Sequence, residues 1–283
     1  MTLINDTRFP KLQYITADNI HSPKVSAIFS TRNGGVSGQT PETEYLQSMN
    51  LSLRFSPGEE DYGNAEGNYR IIMSSQGFEF NSLVVSHQGH TGNVVVVDES
   101  VVEGNRSSPF GFNRICETAD ALVTNIKGLL LSVRTADCVP ILLYDSKTQS
   151  IGAAHSGWRG TLANIGSKTV KRMSDVYGAA PEDINVAIGP AIGQCCFEVG
   201  FDVVEKFVVE YGEGINRFFA IKPESKPHGD IKSINKALLI DAGVLEKNIE
   251  VSDWCTKCNP NLFYSARCSG GKFGLQAGFI GLR

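Results

Sequence analysis

Three short segments of this chain carry side chains that could hold a metal ion. They are Ser86-His87-Gln88-Gly89-His90, Thr135-Ala136-Asp137-Cys138-Val139-Pro140 and Ala153-Ala154-His155-Ser156-Gly157-Trp158-Arg159-Gly160. Two imidazoles and one thiolate together make a three-ligand zinc site. Three protein ligands leave the fourth position of a tetrahedral zinc ion open for water or substrate, which distinguishes catalytic zinc from closed structural zinc. The pattern therefore predicts an enzyme.

Cys138 and His155 are expected to meet through a β-hairpin. Cys138 opens the strand predicted over Val139–Tyr144, and His155 closes the strand predicted over Ile151–Ala154. Because only a short turn separates the two strands, they should pair antiparallel, with the start of one beside the end of the other. A small buried thiol and a hydrogen-bonded core histidine would explain the same residues without a metal.

The third ligand must come from outside this hairpin. His87 and His90 both follow the strand predicted over Leu83–Ser86. Spacing alone does not choose between them, since one could bind the metal while the other supports a ligand or faces solvent.

Two arginines are candidates for binding an anion beside the metal. Arg159 lies in a turn that leads into the helix predicted over Leu162–Tyr177, and the free amides at a helix start attract anions. Arg32 follows the first predicted strand and could present its guanidinium to a phosphate. The alternative is that Trp158 and Arg159 only pack and cap the helix, and that Arg32 forms a surface ion pair.

The other cysteines are interpreted as structural residues. Cys255-x-x-Cys258 resembles half of a zinc ribbon or a redox pair, but a second such pair is absent and Cys268 completes no known spacing. Adjacent cysteines such as Cys195 and Cys196 rarely form a disulfide, so their small size is the expected reason for their presence.

Composition excludes several classes of protein. The chain has 283 residues and a formal net charge of −4, without a run of Lys or Arg that would indicate nucleic-acid binding. No apolar run approaches the roughly 18 residues of a membrane span, and the first residues lack the features of a signal peptide. Seven scattered cysteines in a chain of this size favour a reducing, cytoplasmic compartment.

Strand-like and helical segments are mixed along the whole chain, which predicts one α/β domain over residues 1–283. Ten apolar, mostly unalternating runs read as strands buried on both faces: Val25–Phe29, Leu83–Ser86, Val94–Val97, Ala121–Val123, Leu129–Val133, Val139–Tyr144, Ile151–Ala154, Val186–Ile188, Ile249–Val251 and Ala277–Leu282. Helical spacing covers Asn64–Gln76, Leu162–Tyr177, Val199–Tyr211 and Ile234–Ala242, with Gly178 and Gly243 at expected helix ends. Loops are predicted over 37–43, 103–113 and 222–230, and strand order does not follow from these patterns.

At these motifs the chain resembles the purine nucleoside phosphorylase family formerly described as polyphenol oxidases or laccase-domain proteins. The matching pieces are Thr31-Arg32-Asn33-Gly34-Gly35-Val36-Ser37, Met49-Asn50-Leu51-Ser52-Leu53, Gln88-Gly89-His90, Ala119-Asp120-Ala121-Leu122-Val123-Thr124, Thr135-Ala136-Asp137-Cys138-Val139-Pro140, His155-Ser156-Gly157-Trp158-Arg159-Gly160, Ile188-Gly189-Pro190-Ala191-Ile192-Gly193, Cys196-Phe197-Glu198-Val199-Gly200, Cys255-Thr256-Lys257-Cys258 and Phe263-Tyr264-Ser265-Ala266-Arg267. They run in order across nearly the whole chain. The Asp-Cys and His-x-Gly-Trp-Arg-Gly pieces together are highly specific.

The resemblance implies a ligand set, an activity and a fold. The family's ligands fall on His90, Cys138 and His155, with zinc as the expected metal and a purine nucleoside and phosphate as the expected partners. Phosphorolysis of adenosine, inosine and methylthioadenosine is implied, with adenosine deamination as a second activity. The implied fold is an α/β sandwich of mixed sheets with flanking helices, similar to the catalytic domain of cytotoxic necrotizing factor toxins.

Departures from the family pattern leave other functions open. The family's C-terminal Arg-Arg is Arg267-Cys268 here, and its Thr-Gly-Arg is Phe273-Gly274-Leu275, so two expected positive charges are missing. Asp137 or Glu198 could carry a proton in catalysis. The alternatives are a metal-free Cys138–His155 deamidase or amidohydrolase, a copper-dependent polyphenol oxidase, and a partner-binding protein with a vestigial site.

Overall fold

Two mixed β-sheets form the centre of the protein and pack face to face. The computed structural model describes residues 1–38, 46–53, 60–105, 113–221 and 225–283. Its strands are β1 (Thr2–Asn5), β2 (Gln13–Thr16), β3 (Val25–Ser30), β4 (Leu83–His87), β5 (Val94–Val96), β6 (Asn113–Thr118), β7 (Ala121–Thr124), β8 (Leu130–Thr135), β9 (Val139–Asp145), β10 (Ser150–Ser156), β11 (Asn185–Ile188), β12 (Phe219–Ala220), β13 (His228–Gly229), β14 (Ile249–Val251) and β15 (Gln276–Leu282). Its α-helices are α1 (Glu60–Gln76), α2 (Glu99–Asn105), α3 (Trp158–Leu162), α4 (Ile165–Tyr177), α5 (Phe201–Tyr211) and α6 (Ile231–Asp241).

The two large sheets draw their strands from distant parts of the chain. One has seven strands in the order β1-β2-β3-β15-β8-β4-β6, and the other has six in the order β14-β11-β9-β10-β7-β5. Both contain parallel and antiparallel pairs, for example β4 parallel to β8 and β15 antiparallel to β8. The expected α/β class with mixed sheets is therefore confirmed. The specific similarity to cytotoxic necrotizing factor toxins stays a prediction.

Apolar side chains fill the space between the sheets and cover both outer faces. Between the sheets, Phe29 and Leu131 from one sheet lie in the same buried cluster as Leu142 from the other. Helices α4 and α6 pack on the outer face of the six-stranded sheet, α5 adds apolar side chains to the same cluster, and α1 covers the seven-stranded sheet. Strands β9, β10 and β15 are buried along their whole length, which explains why their sequences do not alternate between apolar and polar residues.

The helix predicted over Leu162–Tyr177 is α4, which ends where expected but begins three residues later, at Ile165; Leu162 is the last residue of the separate short helix α3. The chain breaks between α3 and α4 at Asn164, whose φ of 56° is left-handed. Asparagine tolerates this conformation better than most residues, so an apolar spacing that suits one helix does not reveal the break. Gly178 and Gly243 have the positive φ expected at helix ends, 74° and 96°.

Other sequence expectations lie partly outside the described residues. The predicted loops 37–43 and 103–113 fall mainly on residues 39–43 and 106–112, which the structure does not describe, as it does not describe 222–224. Two parts of the loop predictions are wrong, because residues 103–105 belong to α2 and His228–Gly229 form β13. Within the described ranges, no helix combines the length and the apolarity needed to cross a membrane.

The predicted hairpin is confirmed. Strands β9 and β10 are antiparallel, with His155 opposite Pro140 and Ser156 opposite Val139. Strand β8 ends at Thr135 in the seven-stranded sheet, and residues 136–138 carry the chain across to β9 in the six-stranded sheet. Cys138 therefore lies where the two sheets meet, beside the end of β10.

Candidate metal centre and cavity

His90, Cys138 and His155 come together at this edge of the sheets. One ligand atom from each residue lies within 4.8 Å of the other two. The Cys138 Sγ atom is 3.9 Å from His90 Nε2, and the two imidazole rings meet nearly edge-on with centroids 4.9 Å apart. Tetrahedral zinc with Zn–S of about 2.3 Å and Zn–N of about 2.0–2.1 Å separates sulfur from nitrogen by about 3.6 Å. The donor set therefore fits a zinc ion with little adjustment.

Unusual backbone conformations present two parts of this cluster. His90 and Asp137, which directly precedes Cys138, have φ values of 59° and 88°. Positive φ is uncommon for residues that carry a Cβ atom and is found more often at functional sites. Gly157 completes the wall, because a Cβ atom there would lie 2.9 Å from Cys138 Sγ and 3.0 Å from His90 Cδ2. Only glycine lets the turn after β10 approach the cluster so closely.

Asp120 is the residue that holds the histidines in place. It is fully buried just before β7, which pairs with β10. Its carboxylate accepts hydrogen bonds from the backbone amides of Gly89, His90 and Thr91 at 2.6–3.2 Å, and from the Thr91 hydroxyl. It also accepts the Nδ1 proton of His155 at 2.8 Å. A carboxylate that binds Nδ1 leaves Nε2 of the same ring to serve as a ligand.

The charges in the cluster favour a thiolate beside an imidazolium when no metal is bound. Burial opposes ionisation of Cys138, but the nearby His155 and His90 outweigh it and lower the Cys138 pKa to about 6. Burial also opposes the charge of His155, yet the Cys138 thiolate and Asp120 raise the His155 pKa to about 9. Hydrogen bonds from His155 and Thr91 overcome burial and lower the Asp120 pKa to about 2. Cys138 and Asp120 are thus already ionised as a metal site requires, whereas His155 must release a proton when a metal ion binds.

Alkylation of Cys138 in metal-free protein tests this charge balance. Because the thiolate forms above its lowered pKa, the rate of iodoacetamide labelling should reach half of its maximum near pH 6. An ordinary cysteine thiol titrates near pH 8.5 instead. Peptide mapping by mass spectrometry across pH 4–10 measures the profile for Cys138 alone. We expect His155→Gln to move the midpoint upward, and a midpoint above pH 8 in the parent protein would contradict the proposed ion pair.

A cavity of about 560 Å³ opens onto the three ligands. Its size lies in the range of small-molecule sites. Its wall combines polar and apolar side chains. The lining residues are Leu53, Ser86, His87, Gln88, His90, Arg134, Thr135, Ala136, Cys138, His155, Ala266, Phe273 and Leu275.

The two predicted anion-binding arginines point elsewhere. Arg32 donates to the backbone carbonyls of Gln47 and Pro260, and its guanidinium lies 4.6 Å from the centre of the Tyr264 ring. The Arg159 guanidinium stacks on Trp158 at 4.2 Å. Neither lines the described cavity. The contacts of Arg159 match the alternative of packing against Trp158, whereas Arg32 is held by backbone carbonyls and Tyr264 instead of the surface ion pair considered for it.

Asp137 and Glu198 are also occupied away from the cavity. The buried Asp137 carboxylate accepts hydrogen bonds from Thr256, Ser265 and the amide of Arg267. The Glu198 carboxylate lies 3.5 Å from the Lys226 ammonium. Asp137 therefore braces the turn before Cys138, and neither carboxylate is among the residues that line the described cavity.

His87 lines the cavity but does not join the cluster. Its Nδ1 atom lies 3.2 Å from the Thr118 hydroxyl, and its side chain is exposed. The ladder between β4 and β6 shifts register between Ser86 and His87. The chain then turns, so that His90 rather than His87 lies beside Cys138.

Two residues of this site, Asp120 and Arg134, were not expected from the sequence. Asp120 belongs to a quoted motif, but its role depends on strand pairing that the sequence does not show. Arg134 lies two residues before Ala136 and contributes a positive charge to the cavity wall, where it donates to Gln88 and to the carbonyl of Ser86. A charged residue near the end of an otherwise apolar strand is the signal that could have identified it.

The family assignment follows from comparison with known proteins. The family model for multi-copper polyphenol oxidoreductase laccase matches residues 26–283. The chain belongs to this family. The membership expected from the motifs is thus confirmed, and the chain is an enzyme of that family.

Individual relatives agree with this assignment. The chain is 32% identical over 269 residues to purine nucleoside phosphorylase YlmD of Bacillus subtilis (strain 168), covering 94% of this chain and 91% of that protein. It is 37% identical over 203 residues to adenosine deaminase RL5 of an unknown prokaryotic organism, covering 71% and 76%. Among solved structures, Bacillus licheniformis YfiH superposes with a TM-score of 0.85 at 31% identity over 99% of both chains.

Proposed function

We propose that this protein is a zinc-dependent purine nucleoside phosphorylase that cleaves adenosine, inosine and methylthioadenosine to a free base and a sugar 1-phosphate. Adenosine deamination is proposed as a second activity. The observation that carries the proposal is the three-ligand cluster of His90, Cys138 and His155 in the wall of the 560 Å³ cavity. The names of the relatives, purine nucleoside phosphorylase and adenosine deaminase, support nucleosides as substrates.

The donor set favours zinc over copper. Two histidines and one cysteine with an open position suit catalytic zinc, whereas a blue-copper site adds a weak axial ligand, commonly Met. Three of the four methionines, Met49, Met73 and Met173, are buried in apolar clusters away from the cavity, and the amino group of Met1 pairs with Glu250. No methionine is therefore placed to be that axial ligand.

The cavity wall suits a purine nucleoside with its phosphate. Phe273 and Leu275 offer an apolar surface for the base, and Arg134 offers a positive charge for the phosphate. In phosphorolysis a phosphate oxygen bonds to the anomeric carbon while the bond to the purine nitrogen breaks. The electron pair leaves with the purine, which then takes up a proton. A bound zinc ion supplies a Lewis acid for charge that develops beside the three ligands.

We assign to Arg134 the anion-binding role that the sequence suggested for Arg32 and Arg159. Leu275 stands where the family pattern has arginine, and it leaves this part of the wall apolar.

Replacing Arg134 with Gln should raise the KM for phosphate by roughly 10- to 100-fold, because a charge-assisted hydrogen bond contributes about 1.5–3 kcal/mol. Steady-state kinetics with phosphate as the varied substrate measures the effect. Arg159→Gln is the matched control and should change this KM less than twofold; equal effects would contradict the assignment.

One observation favours a second candidate function, a metal-free deamidase or amidohydrolase. Cys138, His155 and Asp120 are arranged as a thiol, a base and an orienting carboxylate, with the lowered Cys138 pKa that a nucleophile requires. Hydrolysis of an amide substrate that survives chelation and is lost in Cys138→Ser, with an acyl-enzyme trapped at Cys138, would support this alternative.

Incubation with phosphate and a panel of nucleosides tests the proposed activity. Mass spectrometry should detect free purine and sugar 1-phosphate only when phosphate is present. Adenosine converted to inosine without phosphate would report deamination alone. Failure to convert any purine nucleoside by zinc-loaded protein would overturn the proposal and favour the amidohydrolase or a partner-binding role. The cytoplasmic location inferred from cysteine usage stays a prediction.

A further inference from the structure

Four cysteine side chains form a second cluster, outside the cavity. Cys195 and Cys196 lie in the loop after β11, and Cys255 and Cys258 lie in the loop after β14. Their sulfur atoms all lie within 4.8 Å of one another. Small size explains isolated cysteines, but it does not explain the convergence of four thiols from two loops.

The spacing of the sulfurs fits a single tetrahedral ion. Cys258 Sγ is 3.6 Å from Cys195 Sγ and 3.4 Å from Cys196 Sγ. Four sulfurs at about 2.3 Å from a central zinc ion are about 3.8 Å apart. Disulfide sulfurs would be about 2.05 Å apart. An iron–sulfur cluster, which places several iron atoms between its cysteines, needs a wider arrangement than this one.

The surroundings of the cluster offset negative charge. The amide of Gly193 donates to Cys255 Sγ at 3.2 Å. The buried ammonium of Lys232 donates to the carbonyls of Ser252 and Trp254, which immediately precedes Cys255. A metal bound by four thiolates carries a net negative charge, and such hydrogen bonds and nearby cations stabilise it.

We propose that Cys195, Cys196, Cys255 and Cys258 form a closed structural site for one thiophilic divalent cation, with zinc as the expected ion. Four protein ligands leave no open position, so this ion would have no catalytic role. This site is separate from the proposed catalytic centre and does not depend on the identity of the substrate.

The site would join two loops that support Cys138. The Thr256 hydroxyl, next to Cys255, donates to Asp137 at 2.6 Å. The amide of Ile192, in the loop that carries the other two cysteines, donates to the Asp137 carbonyl at 2.9 Å. Both loops therefore hold the residue that precedes Cys138, and a metal between them would stabilise that turn.

Metal analysis of the full chain tests the proposal. Protein expressed in zinc-supplemented medium and purified without chelator should contain two zinc equivalents per chain by mass spectrometry. Cys138→Ser and the double variant Cys196→Ser/Cys258→Ser should each lose one equivalent. Cys268→Ser is the matched control, because Cys268 is an exposed thiol near this region that is not part of the cluster, and it should keep both.

Cobalt substitution in the Cys138→Ser background keeps the proposal testable if the double variant does not fold. We expect one Co²⁺ per chain, with the intense visible and sulfur-to-cobalt charge-transfer bands of a tetrahedral tetrathiolate. The parent protein could also contain only one metal equivalent. If that equivalent persists in Cys138→Ser and is lost in the double variant, the result supports the four-cysteine site and counts against the catalytic zinc. No metal in Cys138→Ser, or an unchanged metal content in a folded double variant, would overturn the proposal. Isolation of these cysteines as disulfides from freshly lysed cells would overturn it as well.

Discussion

Replacing Cys138 with Ser is expected to lower kcat/KM for nucleoside phosphorolysis by about 10³-fold or more. The change removes the only thiolate of the three-ligand cluster, so that the proposed catalytic zinc should be lost together with turnover. Transition-state stabilisation by a metal is several kcal/mol, and each 1.36 kcal/mol is tenfold in rate. Zinc content and steady-state kinetics on the same preparation measure both losses.

His87→Ala is the matched control for this experiment. His87 lines the same cavity but lies away from the cluster, with its Nδ1 atom beside Thr118. Most of the zinc and most of the activity should therefore remain. If His87→Ala lost as much zinc as Cys138→Ser, the assignment of His90 as the third ligand would be wrong.

Replacing Asp120 with Asn is expected to weaken zinc binding by about 10- to 100-fold, the usual effect of losing a partner that orients a histidine ligand. The carboxylate accepts from three consecutive amides and from His155 Nδ1. The asparagine side chain replaces one acceptor oxygen with an NH₂ group. This NH₂ group cannot accept hydrogen bonds, so some of the donors around position 120 lose their partner. The free energy of unfolding should fall as well, by about 1–3 kcal/mol, because buried donors lose their acceptor.

Competition with a zinc chelator and thermal unfolding measure these two effects of Asp120→Asn. The lowered pKa gives the effect a defined pH dependence. The stabilisation by ionised Asp120 is complete above the unfolded pKa of about 3.9 and is lost as pH falls through about 2. Asp175→Asn is a suitable control, since Asp175 is an exposed carboxylate paired with Lys171 on α4. Unchanged zinc affinity in Asp120→Asn would mean that the histidines are oriented by other contacts.

The two proposed metal sites would have different roles, one catalytic and one structural. The cluster at the cavity has three ligands and faces a space of substrate size, whereas the four-cysteine cluster has no open position. Asp137 connects them, because its backbone precedes Cys138 and its side chain binds Thr256 beside Cys255. Loss of the structural ion should therefore loosen the turn that precedes Cys138 while leaving the three ligands at the cavity able to bind their own ion.

The local sequence pattern predicted the buried strands and the meeting of two site residues, Cys138 and His155. The apolar runs identified the buried strands, because a strand covered on both faces needs apolar residues at every position. A short turn between two such strands is enough to predict a hairpin, so the meeting of Cys138 and His155 followed from the sequence. Family motifs then pointed to His90, which spacing alone could not distinguish from His87.

Only the tertiary structure decided which distant residues share a site. Asp120 supports both histidines because β7 pairs with β10, and Arg134 reaches the cavity because β8 and β4 are neighbours in the other sheet. The Arg32 guanidinium stacks on the Tyr264 ring. The four cysteines come together from two loops that are far apart in sequence, since 62 residues separate Cys196 from Cys258. Strand order and loop crossing set these contacts, and both depend on packing between segments far apart in sequence. The chain by itself determined its strands, its hairpin and its donor types, whereas long-range packing determined which donors could act together.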